Sequence, residues 1–389
     1  MPDAATSAAP TRRQHPLRVL FLTKYGRRAA STRHRFLQFE PYYRAAGLDC
    51  TFSALFDDAY LDEKLDRGRT AWAEVLRGVG RRLAMLLRAR RFDVAVVHME
   101  ALPYLPAFFE RALSSLGVPY VYEFDDASFH QYDRSGSRIV RRALGRKIGH
   151  VIGRAALVVA GNEYLAGYAR RFNPKVAVVP TVVDMGQFVP RDRARPAGPV
   201  VVGWIGSPST ASYVAEWRDV WRGLTSRGDV ELRLVGSGPL PLEGVRLGAV
   251  PWNEDREVAD IQGFDIGIMP LRDDLWSRGK CGFKLIQYMA CGLPVVASPV
   301  GVNAMIVRHG ETGFLCTTDE EWRDRLRELA ASASLRETMG RAGRRWAERE
   351  WSLQRWGPEV ARMLAGEAGA GRAAALTGEM TDVRPDRSA

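Results

Sequence analysis

Two α/β domains in tandem, each a parallel sheet covered by helices on both faces, are what this sequence predicts. Three observations predict them. Short, nearly continuous apolar runs alternate with helical segments along the chain, the pattern of strands buried on both faces. The chain has 389 residues, too many for one ordinary domain. One stretch, GQFVPRDRARPAGP from Gly186 to Pro199, breaks the alternation with prolines, glycines and charges and reads as a linker.

In the first half the strand-like runs are LRVLFLT, FDVAVVH, VPYVYEF, ALVVAGN and VAVVPTVV. In the second they are VVVGWIG, VELRLVG, FDIGIMP and LPVVASP. The resulting division places a disordered N-terminus over residues 1–16, a first domain over 17–186 and a linker over 187–199. A second domain covers 200–348 and a C-terminal helix 349–365, and residues 366–389 form a small, polar tail expected to be disordered. Ligands of such sheets bind beyond the carboxyl ends of the strands, so the cleft between the domains is the expected site.

Composition narrows the classes of function. The chain is 46% hydrophobic and 26% charged, as a soluble globular protein is. No apolar run reaches the roughly 18 residues a transmembrane helix needs. The opening MPDAATSAAPTRRQHP lacks the apolar centre of a secretory signal. Cys50, Cys281, Cys291 and Cys316 stand far apart without metal-ligand spacing and read as reduced thiols, so a cytoplasmic setting is expected. The net charge of +11 suits phosphorylated substrates or an anionic membrane surface. Neither a zinc-finger pattern nor an aromatic RNA-binding pattern is present, so nucleic acid is not an expected partner.

The strongest local signal is GKCGFKLIQYMACGLPVVASPVG, Gly279 to Gly301. Gly282 permits a tight entry, Phe283, Ile286 and Ala290 repeat at helical spacing, and Gly292 and Pro294 end the helix before the run VVAS. A helix that opens on a glycine loop offers free N–H groups and the positive end of a dipole to a diphosphate. Lys280 and Lys284 would add charge beside it. The alternative is an ordinary helix–strand unit with solvated lysines.

A second signal, TKYGRRAASTRHRF, follows the first strand. Ser31, Thr32, Arg33 and Arg35 would give hydroxyls and guanidinium forks to a phosphate or an acceptor; the alternative is a capped helix with solvated arginines. The spacing is not that of a dinucleotide-binding G-x-G-x-x-G turn. A third signal is VPYVYEFDDASF, where Asp125 and Asp126 follow a buried strand and can orient a sugar hydroxyl or accept its proton; Asp126 can instead cap a helix. His98 and Glu100 end another first-domain strand and are further candidates for the cleft wall, as are Asn162 and Glu163 in a lower rank.

The segment YMACGLPVVAS, with WNEDREVADIQGFDIGIMPL before it and HGETGFLC after it, resembles the donor-binding segment of family-4 retaining glycosyltransferases. The S-T-R-x-R loop and the D-D-A turn resemble one branch of that family. The resemblance implies the GT-B fold: two Rossmann-like domains facing a cleft, the first holding the acceptor and the second a nucleotide-sugar donor. It also implies transfer of a hexose-type sugar with retention, no catalytic metal, and a C-terminal segment WSLQRWGPEVARMLA that packs back on the first domain. Sugar or lipid-linked acceptors and a role in polysaccharide or glycoconjugate synthesis follow from the same resemblance.

In its second half this sequence departs from the family pattern at three places. Of the family's paired glutamates, the ribose-holding one falls on Gln287, whose amide still bonds in both directions, and the sugar-contacting one falls on Gly279. In the turn GWIGSPSTASYV, Gly206, Ser207, Ser209 and Thr210 stand where the family has cationic phosphate ligands, leaving hydroxyls and turn N–H groups for that work. The resulting expectation is that Lys280, Lys284 and the adjoining N–H groups hold the diphosphate, Gln287 contacts the ribose, and Asp125, Asp126 and Lys284 are catalytic. The other classes kept open are a sugar-nucleotide isomerase on the same fold and a non-catalytic nucleotide-sugar or membrane-binding protein.

Two basic stretches, Arg67 to Arg91 and Ser137 to Arg154, mix arginines with apolar residues at helical spacing. Each is either a core-facing helix with a solvated basic face or a face that lies on an anionic membrane, which would make the protein peripheral at the inner face.

Overall fold

The computed structural model describes residues 15–67, 72–192 and 198–381. Among these are two six-stranded sheets in which every pairing is parallel. The first holds β1 (Leu17–Tyr25), β2 (Leu48–Phe56), β3 (Val94–His98), β4 (Tyr120–Phe124), β5 (Leu157–Ala160) and β6 (Val176–Val178), in the order β2-β1-β3-β4-β5-β6. The second holds β7 (Val200–Ile205), β8 (Val230–Val235), β9 (Leu247–Val250), β10 (Ile266–Met269), β11 (Val295–Ala297) and β12 (Gly313–Leu315), in the order β12-β11-β10-β7-β8-β9.

The central strands carry the apolar runs read from the sequence. Val94–His98 and Tyr120–Phe124 are buried along their whole length, because helices cover both faces of a parallel sheet. In each sheet the strand order reverses beside the first strand, between β1 and β3 and between β7 and β10. Near these reversals, Ala30, Ser31 and His34 after β1 and Met269 at the end of β10 line one cavity at the domain boundary.

The last helix, Leu353–Thr381, lays Leu353, Ala361, Leu364 and Ala368 onto Val19, Phe21, Phe39 and Tyr43 of the first domain. The C-terminal segment thus packs back as expected. The expectation of disorder from residue 366 onward is corrected: the helix continues to Thr381. Ala368 is fully buried, and Gly371 lies so close to the Asp93 carbonyl that a Cβ would come within 2.1 Å of it. Arg372 pairs with Asp93 at 2.7 Å and donates to the carbonyls of His15 and Pro16. Small residues that read as a tail allow this close helix-on-sheet approach. Residues 382–389, residues 1–14 and part of the expected linker, 193–197, lie outside the described residues. The chain crosses between domains at two adjoining points, where the Val183 and Leu353 N–H groups donate to the Trp351 and Val183 carbonyls.

Candidate functional site

The cleft contains a cavity of about 160 Å³ lined from both domains. The first domain contributes Ala30, Ser31, His34, Asp125, Asp126 and Thr181. The second contributes Met269 and the run Lys280–Lys284. The aspartates arrive because β4 ends at Phe124, so the next two residues leave the sheet at its carboxyl end.

Gly282 sets the other wall. It caps the helix Phe283–Ala290 with φ +67°, in the left-handed region, and a Cβ there would meet the Ile306 side chain at 2.2 Å. Only glycine satisfies both conditions. The helix that follows opens at the cavity, with Phe283 and Lys284 in its lining, and the first N–H groups of a helix have no partner within it. Lys284 lies over the Trp204 ring at 5.3 Å. Burial, reinforced by repulsion from Lys280 and partly offset by Asp126, lowers its ammonium to about 8.

Lys280 crosses the domain boundary. Its ammonium donates to both Asp126 carboxylate oxygens, at 3.0 and 3.2 Å. Burial works against this charge, but the Asp126 carboxylate outweighs it and raises the Lys280 ammonium above its usual value. Burial and the neighbouring Asp125 push Asp126 up against the opposing pull of Lys280. Asp125 moves the other way. Burial raises it, and His98, Arg35 and Lys280 together more than reverse that. The two adjacent carboxyls are thus shifted in opposite directions.

The closed boundary explains the glycine where the related pattern has a glutamate. A Cβ on Gly279 would stand 2.5 Å from the Ala127 Cβ and 2.9 Å from its nitrogen. The Asn162 amide donates to the Gly279 and Lys280 carbonyls at 2.9 and 3.1 Å, and the Cys281 thiol donates to the Asp125 carbonyl. The first domain occupies the space a side chain at 279 would need.

The remaining residues singled out from the sequence fall into different roles. Ser31 lines the cavity. The Thr32 hydroxyl is buried and donates to the Tyr25 carbonyl at 2.9 Å, which holds the loop and leaves no free donor for a phosphate. Arg33 stacks on Trp252 at 4.9 Å and faces Glu254 and Glu257 across the boundary at 3.6 and 3.9 Å. Arg35 is not free for a ligand. It donates to Glu123 at 2.6 Å and to the Val179 carbonyl at 2.9 Å, and it borders a small apolar cavity beneath the final helix.

Glu100 is likewise internal: it accepts from Gln131, Tyr132 and Lys147, the last at 2.6 Å, and is fully buried. Residues of two short helices, His130–Asp133 and Lys147–Ile152, receive it, and it is not in the cavity lining. His98 is fully buried behind Asp125, with Nε2 3.6 Å from Asp125 Oδ1, a contact too long for a good hydrogen bond and mainly electrostatic. Gly206 is packed under Trp204 and Lys284, where a Cβ would meet them at 2.5 and 2.8 Å. Ser207, Ser209 and Thr210 lie outside the cavity lining, with the two serine hydroxyls bonded to each other at 2.9 Å and Thr210 donating to the Ser207 carbonyl.

Gln287 is buried and spent on a partner that no sequence signal singled out. Its amide donates to Glu257 Oε1 at 3.1 Å. Glu257, raised by burial, helps line a second cavity of about 250 Å³ with Arg33, His34, Gln38, Asp184 and Glu254. A buried carboxylate thus stands against the amide at the position where the related pattern has its second glutamate. His34, shared by both cavities, was also missed, because a histidine between two arginines in a helical stretch reads as solvated.

Both halves of the chain match models of known domains. Residues 17–187 match "Glycosyltransferase Family 4", and residues 200–332 match "Glycosyl transferases group 1". A curated relative, the D-inositol 3-phosphate glycosyltransferase of Segniliparus rotundus, is 27% identical over 263 residues, which are 59% of this chain and 57% of that one. The N-acetyl-alpha-D-glucosaminyl L-malate synthase of Bacillus anthracis is 28% identical over 30% of this chain and 32% of its own. The chain thus spans little more than half, or a third, of these relatives. Among solved structures, Anabaena HepE in complex with UDP and glucose superposes with a TM-score of 0.67 at 16% identity, covering 90% of this chain and all of that one. Sucrose-phosphate synthase from Thermosynechococcus elongatus superposes with a TM-score of 0.64 at 13% identity over 92% of this chain.

Proposed function

From a chain made of two glycosyltransferase domains in the GT-B arrangement, we propose an enzyme that moves a sugar from a nucleotide-diphosphate sugar to an acceptor hydroxyl with retention of configuration. The observation that carries this reading is the cleft cavity in which Lys280 and Lys284 of one domain meet Asp125 and Asp126 of the other. Solved relatives of the same fold hold UDP or UDP-glucose, and the reading takes a nucleotide sugar as donor here.

In this account the second domain grips the diphosphate. As the glycosidic bond breaks, negative charge grows on the leaving phosphate. Lys284, Lys280 and the free N–H groups that open the helix at Phe283 stabilise it without reorganising. That assigns the charge work to protein groups with no metal. The acceptor hydroxyl, oriented by Asp126, attacks from the face the nucleotide leaves and gives its proton to the Asp126 carboxylate, while Asp125, held ionised by its cationic neighbours, stabilises positive charge on the sugar. The Asp126–Lys280 pair must open for this, since the diphosphate needs the lysine. Glu257, backed by Gln287, takes the ribose.

The test is a panel of nucleotide sugars in a thermal-shift assay, followed by mass spectrometry of products with and without sugar and lipid-linked acceptors. Acceptor-dependent release of nucleoside diphosphate supports the reading. Conversion of the donor with no acceptor present would make the protein an isomerase, and binding without any release a non-catalytic one.

A membrane-facing acceptor side belongs to the same proposal, on a specific observation. Trp72, Leu76, Leu83 and Leu87 of the helix Trp72–Leu87 are 71%, 70%, 43% and 88% exposed, and their spacing puts them on one side. Arg88, Arg90 and Arg91 follow at its end. A basic helix with an uncovered apolar side suits the interface of an anionic membrane, as a lipid-linked acceptor would require. The second basic stretch differs, since Leu144, Ile148, Val151 and Ile152 are in the core. Among the described residues no helix is long and apolar enough to cross a membrane. Flotation with anionic and neutral liposomes at low salt tests this part, and absence of binding to both would sink it.

A further inference from the structure

His34 is buried at the meeting point of the two cleft cavities, 6% exposed, and neither ring nitrogen has a hydrogen-bond partner among the described residues. Its ring packs on Phe283 of the other domain at 4.5 Å and nears Phe188 at 6.2 Å. The Gln38 amide nitrogen donates to the His34 and Val182 carbonyls and not to the ring. Burial, aided by the adjacent Arg33 charge, keeps the imidazole neutral, near 3. A neutral imidazole has one N–H to give and one lone pair to offer. Leaving both unmade in the interior is costly, and no hydrogen bond among the described residues repays it. A purely structural residue at this place would be apolar.

The surroundings say what would repay it. On one side of the ring lies the cavity that holds Lys280, Lys284 and Ser31 together with Asp125 and Asp126. On the other lies the cavity of Arg33, Glu254 and Glu257. A ligand that fills both must pass the imidazole, and for a nucleotide sugar the part nearest the lysines is the diphosphate.

We propose that His34 is a donor-binding residue supplied by the first domain, its ring N–H donating to a phosphate oxygen of the bound nucleoside diphosphate. This rests on the nucleotide-sugar reading above. It makes the grip on the diphosphate two-sided, with lysines from one domain and an imidazole from the other.

The test is calorimetric titration of the full chain and of H34A, H34Q and H34L with UDP, GDP and ADP, with thermal melts of each variant without ligand. The expected result is a loss of about tenfold in affinity for the tightest diphosphate in H34A and H34L, one hydrogen bond to a charged group. H34Q should recover most of it, because the amide restores a donor. Unliganded H34L should melt no lower than the parent, because it removes an unsatisfied polar group. Unchanged diphosphate affinity in H34A would overturn the proposal. So would a melting point lowered by several degrees in both H34Q and H34L, which would make His34 structural. If the parent chain binds none of the three diphosphates, the nucleotide-sugar reading itself fails, an outcome distinct from these.

Discussion

The ammonium of Lys280, on the second domain, lies 3.0 Å from Oδ1 of Asp126, on the first. This pair closes the cleft at the place where the proposed diphosphate would sit, and it sets two groups of the proposed site against each other. D126N should free Lys280 and tighten nucleoside diphosphate binding by roughly fivefold, since a partly exposed pair of this kind is worth about 1 kcal/mol. Turnover should fall at the same time, because the amide cannot accept a proton from the acceptor. Calorimetry and initial rates measure the two effects separately. Weaker binding in D126N would contradict the competition.

Lys284 predicts a pH dependence with opposite signs for rate and stability. Its ammonium is lowered from 10.5 to about 8 in the folded chain, first by burial and then by Lys280. Between these values the unfolded chain holds the proton and the folded chain does not, so this group makes stability rise with pH through that window. Charge stabilisation needs the protonated form, so kcat/KM should fall as pH rises past 8. K284R, which stays charged, should flatten the fall, and K284A should lose about 100-fold in turnover at neutral pH. A pH–rate profile of the three chains checks this.

G282A should destabilise the chain by about 2 kcal/mol, from the left-handed backbone and the overlap with Ile306 together. It should also weaken diphosphate binding, because the helix start must shift. Urea melts and diphosphate titration read the two consequences.

Arg35 and Glu123 form a buried pair with side chains 3% and 5% exposed. E123A leaves the guanidinium charged in the interior and should cost about 3–5 kcal/mol of stability. If Arg35 were instead a phosphate ligand, the same change would chiefly alter binding. Equilibrium denaturation distinguishes the two.

Much of this architecture was legible in the chain, and what was missed has a common cause. The runs that read as strands are mostly central ones, such as Val94–His98 and Tyr120–Phe124, buried throughout. The strands without a clear signal, β2, β9 and β12, all lie at sheet edges. Leu48–Phe56 mixes exposed and buried positions and includes Asp49, Thr51 and Ser53, because one edge and part of a face meet solvent. Helix Leu353–Thr381 outran its apolar period because beyond Leu364 it packs through Ala368 and Gly371 rather than large side chains. In the site, the loop Lys280–Lys284 and the Asp125–Asp126 turn were legible because a glycine-bounded helix start and a strand end have local signatures. The partnerships of Arg35 with Glu123, of Glu100 with Lys147 and of Gln287 with Glu257 join residues far apart in the chain. Only the fold brings them together.

The central claim is that Lys280 and Lys284 hold the diphosphate of a nucleotide sugar. Titrating the parent chain and the K280A/K284A double variant with the nucleoside diphosphate that the parent binds most tightly tests it most directly. The account predicts a loss of about 100-fold or more in affinity, two charge-assisted contacts removed together, with the variant still folded by its melting transition. Equal affinity in the two chains would contradict it.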